Sequence, residues 1–303
     1  MTSCNTRRVY DAGGRVGFED KYGCLKKELE VFLDDNLPSF INDGQKLLGD
    51  AMRYGVTTGG KRLRGVLALA SSDLLCGAKD IALPIAGALE YLHAYSLIHD
   101  DMPCMDDDDY RRGKPSCHKV YGEGAAMLAG DALLNLAFEI LLDNAVSGPQ
   151  ADGPRRYKFA EAAAYIARAA GSSGMAGGQA IDMFGDIRDE SQLAALHGLK
   201  TGRLFEAAVL APAICLGAEA GEYDALKRYG VSIGYAFQIR DDLTDLDNAG
   251  SDERKRNFAA LFGISYAERA LNEHYTTAVD SLAGFTERAD FLRDIAGFMA
   301  GVI

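Results

Sequence analysis

Two concentrations of aspartate carry most of the chemical information in this sequence. Asp100 and Asp101, then Asp106–Asp109, crowd one stretch, and Asp241, Asp242, Asp245 and Asp247 crowd another. Carboxylate oxygens are hard ligands, and neither run has a histidine or thiolate at a spacing that suits zinc, which points to Mg²⁺ or Mn²⁺. The first run ends an apolar helix that starts near Ile81, and Pro103 disfavours helix at Met102. Carboxylates at a helix C-terminus oppose its dipole, and consecutive aspartates repel one another, so a bound divalent cation is the expected compensation. In the second run Asp241 and Asp245 are four apart and share a helix face, with Asp242 beside them. Together the runs suit a group of Mg²⁺ ions bridging a diphosphate.

The basic residues supply the complement. Gly59-Gly-Lys-Arg-Leu-Arg64 is a glycine turn entering a helix, where backbone N–H groups and the dipole favour an anion and Lys61 and Arg64 add charge. Arg111 and Arg112 directly follow the first aspartates, and guanidinium forks grip phosphate oxygens well. Lys200-Thr201 and Lys255 lie in otherwise apolar or polar helix-end contexts. As a set beside two acidic metal sites, these cations describe a site for two polyanions.

Helices must position these groups. Apolar residues recur three and four apart over Lys21–Leu33, Gln45–Tyr54, Arg62–Leu75, Ile81–Asp101, Gly124–Asn144, Arg156–Ala170, Gln192–Gly217, Tyr223–Asp247, Ser265–Leu282 and Phe291–Ala300. Runs of β-branched residues are missing. Gly59-Gly60, Ser147–Pro154 and Gly171–Gly178 punctuate the pattern. The economical reading is an all-α protein with an N-terminal arm over residues 1–20 and one domain over residues 21–303, a bundle of about ten or more helices. With 48% hydrophobic and 25% charged residues, a large core is available. A net charge of −12 disfavours a nucleic-acid partner. Six scattered cysteines with no CxxC pair argue against a disulfide framework or a structural zinc site. No uninterrupted apolar run approaches the ~20 residues of a membrane span, and the first residues lack an apolar core, so a cytoplasmic protein is expected.

The ordered motifs resemble the trans-isoprenyl diphosphate synthases, most closely the bacterial farnesyl diphosphate synthases. The markers are Gly59–Arg64, His93-Ala-Tyr-Ser-Leu-Ile-His-Asp-Asp101, Asp106–Arg112, Gly130-Asp-Ala-Leu-Leu134, Lys200-Thr-Gly202, Phe237-Gln-Ile-Arg-Asp-Asp242 and Lys255. The resemblance runs from about Lys21 to the C-terminus. It implies the isoprenoid-synthase fold around a central cavity, a homodimer, and three Mg²⁺ ions. It also implies metal ligands at Asp100, Asp101 and Asp106 and at Asp241, with Asp242 and Asp245 in support. Arg111, Lys200 and Lys255 would hold the allylic diphosphate beside Thr201 and Gln238. Lys61, Arg64, His93 and Arg112 would hold isopentenyl diphosphate. The implied reaction ionises the allylic diphosphate, condenses it with isopentenyl diphosphate and loses a proton. It needs no side-chain nucleophile, which leaves His99 and His118 as structural residues.

Tyr95 and Ser96 precede Asp100 by about one helical turn, roughly 6–7.5 Å along the axis. A bulky Tyr95 at that depth would stop the growing tail at the fifteen-carbon farnesyl product, with geranylgeranyl diphosphate as the alternative. The sequence departs from the family pattern in two places. Gly65 stands where proline is usual, and Asp247–Lys255 is a shortened loop continuing Lys255-Arg-Asn-Phe258. Such a loop suits either altered closure or a weakly active subunit of a heteromeric synthase. A terpene cyclase of the same fold would not need Lys61, Arg64, His93 and Arg112.

Overall fold

The computed structural model describes residues 17–147, 154–187, 189–246 and 257–303. The chain divides into two compact units, one of residues up to Leu69 with Ala82–Asp143, the other of Ala70–Ile81 with Asn144–Ile303. Of the expected N-terminal arm, residues 1–16 lie outside the described residues. Helix α1 begins at Phe18, inside the stretch assigned to that arm, and runs to Asp35 with Glu19 and Asp20 in its first turn, where acids favour the dipole.

The first unit packs α1, α2 (Asp43–Thr57) and parts of α3 (Leu63–Leu74), α4 (Lys79–Asp100) and α6 (Glu123–Ser147). Asn42 caps α2 by accepting from the Gly44 N–H at 3.1 Å. Leu29, Leu33, Leu67, Ile85, Leu89 and Leu92 are fully buried, and the Tyr91 hydroxyl donates to the Leu33 carbonyl at 2.7 Å. Buried Glu90 accepts from the Gly65 N–H at 2.9 Å and lies 3.6 Å from Arg62. A Cβ at Gly65 would come within 2.2 Å of the Leu29 side chain. The unusual glycine therefore admits α1 to close contact and supplies a donor that proline lacks.

A small antiparallel hairpin interrupts the helices, β1 (Tyr110–Arg111) pairing with β2 (Lys114–Pro115). Arg112 and Gly113 form its two-residue turn, and both have positive φ, at 53° and 75°. That is the backbone a type I′ turn requires. Two-residue strands are too short for any period, so the sequence pattern does not reveal them. The short helix α5 (Cys117–Tyr121) follows.

The second unit contains α7 (Pro154–Ala170), α8 (Met175–Phe184), α9 (Glu190–His197), α10 (Arg203–Leu216), α11 (Ala220–Asp245), α12 (Phe258–Phe262), α13 (Ile264–Ser281) and α14 (Asp290–Ala300). α10 is buried nearly all round and packs against α7 and α11, while α11 also packs against α13. A Glu219–Glu222 capping box starts α11. The sequence pattern differs from the structure here in two ways. Gly171–Gly178, read as punctuation, lies partly inside α8, and the single helix expected over Gln192–Gly217 contains a π-helical turn at Gly198–Gly202.

Candidate active site

The first aspartate run sits where α4 ends. The Asp106 N–H donates to the Asp100 carbonyl at 2.9 Å, which folds the loop back and sets residue 106 beside the helix terminus. Asp100 is half-buried and Asp106 exposed. Asp101 points the other way and is 3% exposed. Arg111 Nε donates to Asp101 Oδ1 at 2.7 Å, Arg111 Nη2 bonds the same oxygen, and Nη2 also donates to Asp108 Oδ2 at 2.8 Å. Burial raises the Asp101 pKa and Arg111 pulls it down by less; burial is also the largest single influence on Arg111, lowering its pKa, but Asp101, Asp108 and Asp100 together raise it. Asp101, expected among the metal ligands, thus has a carboxylate engaged in orienting Arg111.

The basic groups of this unit converge on the glycine turn. Gly59 and Gly60 have φ of 99° and 130°, and Arg62 follows at 56°. A Cβ at Gly60 would lie 2.7 Å from Arg112 Nη1, and that same nitrogen bonds the Gly59 carbonyl. The turn is therefore shaped to receive Arg112. Tyr22 donates to the Lys61 carbonyl at 2.5 Å from the other side. His93 feels burial first and then Arg64, Arg112, Arg62 and Arg111, which together hold its pKa well below the usual histidine value. Its imidazole is neutral at physiological pH and can donate one N–H to an anion.

This depressed pKa has a sign that can be measured. A histidine whose folded pKa is lowered contributes stability above its unfolded pKa, about 6.5, and loses it as pH falls toward the folded value. Between pH 7 and 5.5 the protein should lose about 1 kcal/mol more than a His93→Gln variant in urea titrations, the loss steepening below pH ~6.5 toward the limiting slope of ~1.4 kcal/mol per pH unit. Equal losses would contradict the assignment.

In the second unit the π-helical turn carries Lys200 and Thr201, and such turns commonly mark functional positions. Lys200 pairs with Asp182 on α8. Thr201 donates to Gln238 Oε1 at 2.8 Å, and Gln238 Nε2 donates to Asp242 Oδ1 at 2.9 Å. Asp242 Oδ2 accepts from the Phe258 N–H at 2.7 Å and lies 3.6 Å from His197 Nε2, while Asn257 bonds the Asp242 carbonyl at 2.7 Å. Burial raises the Asp242 pKa, opposed by His197, Phe258 and Gln238. Asp241 is half-buried and Asp245 exposed on the last turns of α11. Of the expected metal residues in this run, Asp242 has both oxygens occupied by protein donors. Asp242→Ala leaves the buried Phe258 N–H without its acceptor, and a loss of about 2–4 kcal/mol in urea unfolding is expected. A loss under ~0.5 kcal/mol would contradict this anchoring role. Lys255 and the shortened loop over residues 247–255 lie outside the described residues.

The polyprenyl synthetase family model matches residues 45–259, which span every motif above. The chain belongs to that family. It is a prenyltransferase. Among its relatives, the farnesyl diphosphate synthase of Geobacillus stearothermophilus is 39% identical over 78% of this chain and 82% of its own. The geranylgeranyl diphosphate synthase of Cyanophora paradoxa is 37% identical over 90% and 93%. A solved structure of an FPP/GFPP synthase from Zymomonas mobilis superposes with a TM-score of 0.84 at 37% identity, covering 93% of this chain and 98% of that one.

Within this polyprenyl synthetase, sequence reasoning missed Asp182 and Gln179. Gln179 on α8 has both side-chain polar atoms buried without a hydrogen-bond partner, and Asp182 follows one turn later against Lys200. A Cβ at Gly178 would lie 2.2 Å from the Lys200 backbone nitrogen, so glycine there allows α8 to touch the π-helical turn. The available signal was Gly177-Gly178-Gln179 with an acid three residues on.

Tyr95 is half-buried, with its ring edge-on to His99 at 5.8 Å, and burial followed by the Asp100 charge raises its pKa. Ser96 donates to the His93 carbonyl at 3.0 Å. His99 lies 3.1 Å from the Met127 carbonyl, and a Cβ at Gly130 would collide with its ring.

Proposed function

We propose that this prenyltransferase condenses isopentenyl diphosphate head to tail with dimethylallyl or geranyl diphosphate and releases mainly farnesyl diphosphate. The observation that carries the two-substrate reading is the second set of cations. Arg112 bonds the glycine turn and, with Arg64, lies near neutral His93; together with Lys61 these groups would hold a diphosphate beyond the one that the aspartates would serve. An enzyme that only ionised a prenyl diphosphate would have no use for it.

The all-oxygen donors Asp100, Asp106 and Asp241 fit hard Mg²⁺ ions, with Mn²⁺ as a substitute. Such ions would stabilise negative charge on the leaving diphosphate. Arg111, Lys200 and Lys255 would hold that group and share its charge, and Asp101, Asp108 and Asp182 keep two of these cations oriented. The allylic C–O bond breaks with its electron pair on the diphosphate. The isopentenyl double bond then forms the new C–C bond, and the released pyrophosphate takes the proton. Lys61, Arg64, His93 and Arg112 would anchor isopentenyl diphosphate meanwhile.

Relatives named for both farnesyl and geranylgeranyl products leave chain length to this chain's own residues. Tyr95, one turn before Asp100, supports the shorter product. Incubation with dimethylallyl, geranyl and farnesyl primers in parallel, followed by chromatography of the dephosphorylated products, tests it. Farnesol as the main product from the first two primers is expected, and mainly geranylgeraniol would overturn the chain-length assignment.

A homodimer fits α6. Its Met127, Leu128, Leu142 and Val146 are exposed, and α4 and α6 alone among the described residues have the length and apolarity of membrane spans. In α4, 72% of the most apolar window is buried within the protein, against 39% in α6. A second copy covering α6 would bury that apolar surface.

A further inference from the structure

The aspartates after Asp106 do not all serve the same purpose. Asp108 turns to Arg111. Asp107 and Asp109 are exposed, and one carboxylate oxygen of each lies within 4.8 Å of a ring nitrogen of His118, and of the other. His118 comes from α5, beyond the hairpin, so the hairpin brings an imidazole to two acids that the sequence spacing does not associate with it.

We propose that Asp107, Asp109 and His118 bind one divalent transition-metal ion, separate from any ion held at Asp100 and Asp106. The second observation is the state of the histidine. His118 is 6% exposed, and its Nε2 is buried without a hydrogen-bond partner. Its Nδ1 lies 3.2 Å from Ser116 Oγ, which fixes the ring from one side, as the supporting partner of a metal-bound histidine does. An ion bonded at Nε2 would satisfy a ring that the protein itself satisfies at one nitrogen only. Asp109 Oδ1 is paired with Lys119 at 2.6 Å, and its second oxygen remains for a ligand bond.

Distances and donor types select the ion. Bonds of ~2.1 Å place ligand atoms roughly 3–4 Å apart, so rotation of the two exposed carboxylates by about 1 Å closes the cluster. Two carboxylates and one imidazole favour Mn²⁺, Co²⁺ or Zn²⁺ over Mg²⁺, which avoids nitrogen ligands. Bound there, the ion ties the aspartate loop to α5 across the hairpin that carries Arg111 and Arg112.

The test uses the full chain, stripped with chelator and titrated with Co²⁺ in excess Mg²⁺ without any diphosphate. Equilibrium dialysis counts the bound ion, and proton NMR looks for a paramagnetically shifted imidazole N–H. About one equivalent of Co²⁺ with an imidazole signal is expected. Asp107→Asn/Asp109→Asn, both surface changes, should weaken it by about tenfold or more, and Asp100→Asn should leave it. His118→Ala should abolish the imidazole signal. No Co²⁺ bound, no imidazole signal, or unchanged affinity in the double variant overturns the proposal. Prenyl transfer by the unmodified protein in Mg²⁺ alone is scored on the same preparation, so failure of this site and failure of the proposed function are told apart.

Discussion

Asp100→Asn is expected to lower kcat for prenyl transfer by about 10³-fold, the loss that follows removal of one group stabilising a developing anion. The fold should survive, because the loop is held by the Asp100 carbonyl and the Asp106 N–H, not by the Asp100 side chain alone. The Mg²⁺ concentration for half-maximal activity should rise in the same variant, since a carboxylate oxygen is exchanged for a weaker amide donor. Asp101→Asn should behave differently. It releases Arg111 from its strongest partner, so KM for the allylic diphosphate should rise with little change in the Mg²⁺ dependence. Steady-state kinetics of both variants across Mg²⁺ concentrations separates the roles. An Asp100→Asn enzyme within roughly threefold of the parent kcat would remove the aspartate from the reaction.

Tyr95→Ala is expected to change the main product from farnesyl to geranylgeranyl diphosphate. The phenol is half-buried one turn before Asp100 and packs edge-on against His99, so truncation opens space beside a helix that otherwise keeps its shape. The stability loss should be modest, about 1–3 kcal/mol, because the ring is only partly buried. Chromatography of the dephosphorylated products reads the outcome, with geranylgeraniol exceeding farnesol as the expected result. Farnesol persisting as the main product would move the floor of the tail pocket to another residue.

Much of this was legible in the sequence, and the exceptions share a physical cause. Long helices such as α4 and α11 announce themselves through apolar residues recurring three and four apart. α8 does not, because its Gly178 is placed for close approach to Lys200, and a local reading treats glycine as a breaker. The π-helical turn at Gly198–Gly202 adds a residue between two helical segments in a stretch with Leu199 as its one large apolar residue, which periodicity cannot register. Motif spacing located Asp100, Asp101, Asp241 and Asp242 but could not say which side chains turn inward. Asp101 and Asp242 are buried against Arg111 and the Phe258 N–H, contacts that depend on how the chain folds back after each helix end and not on motif spacing. The same holds for Gly65, a departure from the family pattern at the level of motif that becomes intelligible through Leu29 and Glu90. Sequence names the chemistry of a site more readily than the direction of each carboxylate.

The central claim is Mg²⁺-dependent transfer of a prenyl group to isopentenyl diphosphate, and incorporation of labelled isopentenyl diphosphate into acid-labile product measures it directly. With geranyl diphosphate and Mg²⁺, label should enter product over many turnovers, and chelation of the metal should stop it. No incorporation with any allylic primer in the presence of Mg²⁺, or incorporation indifferent to chelation, would contradict the account.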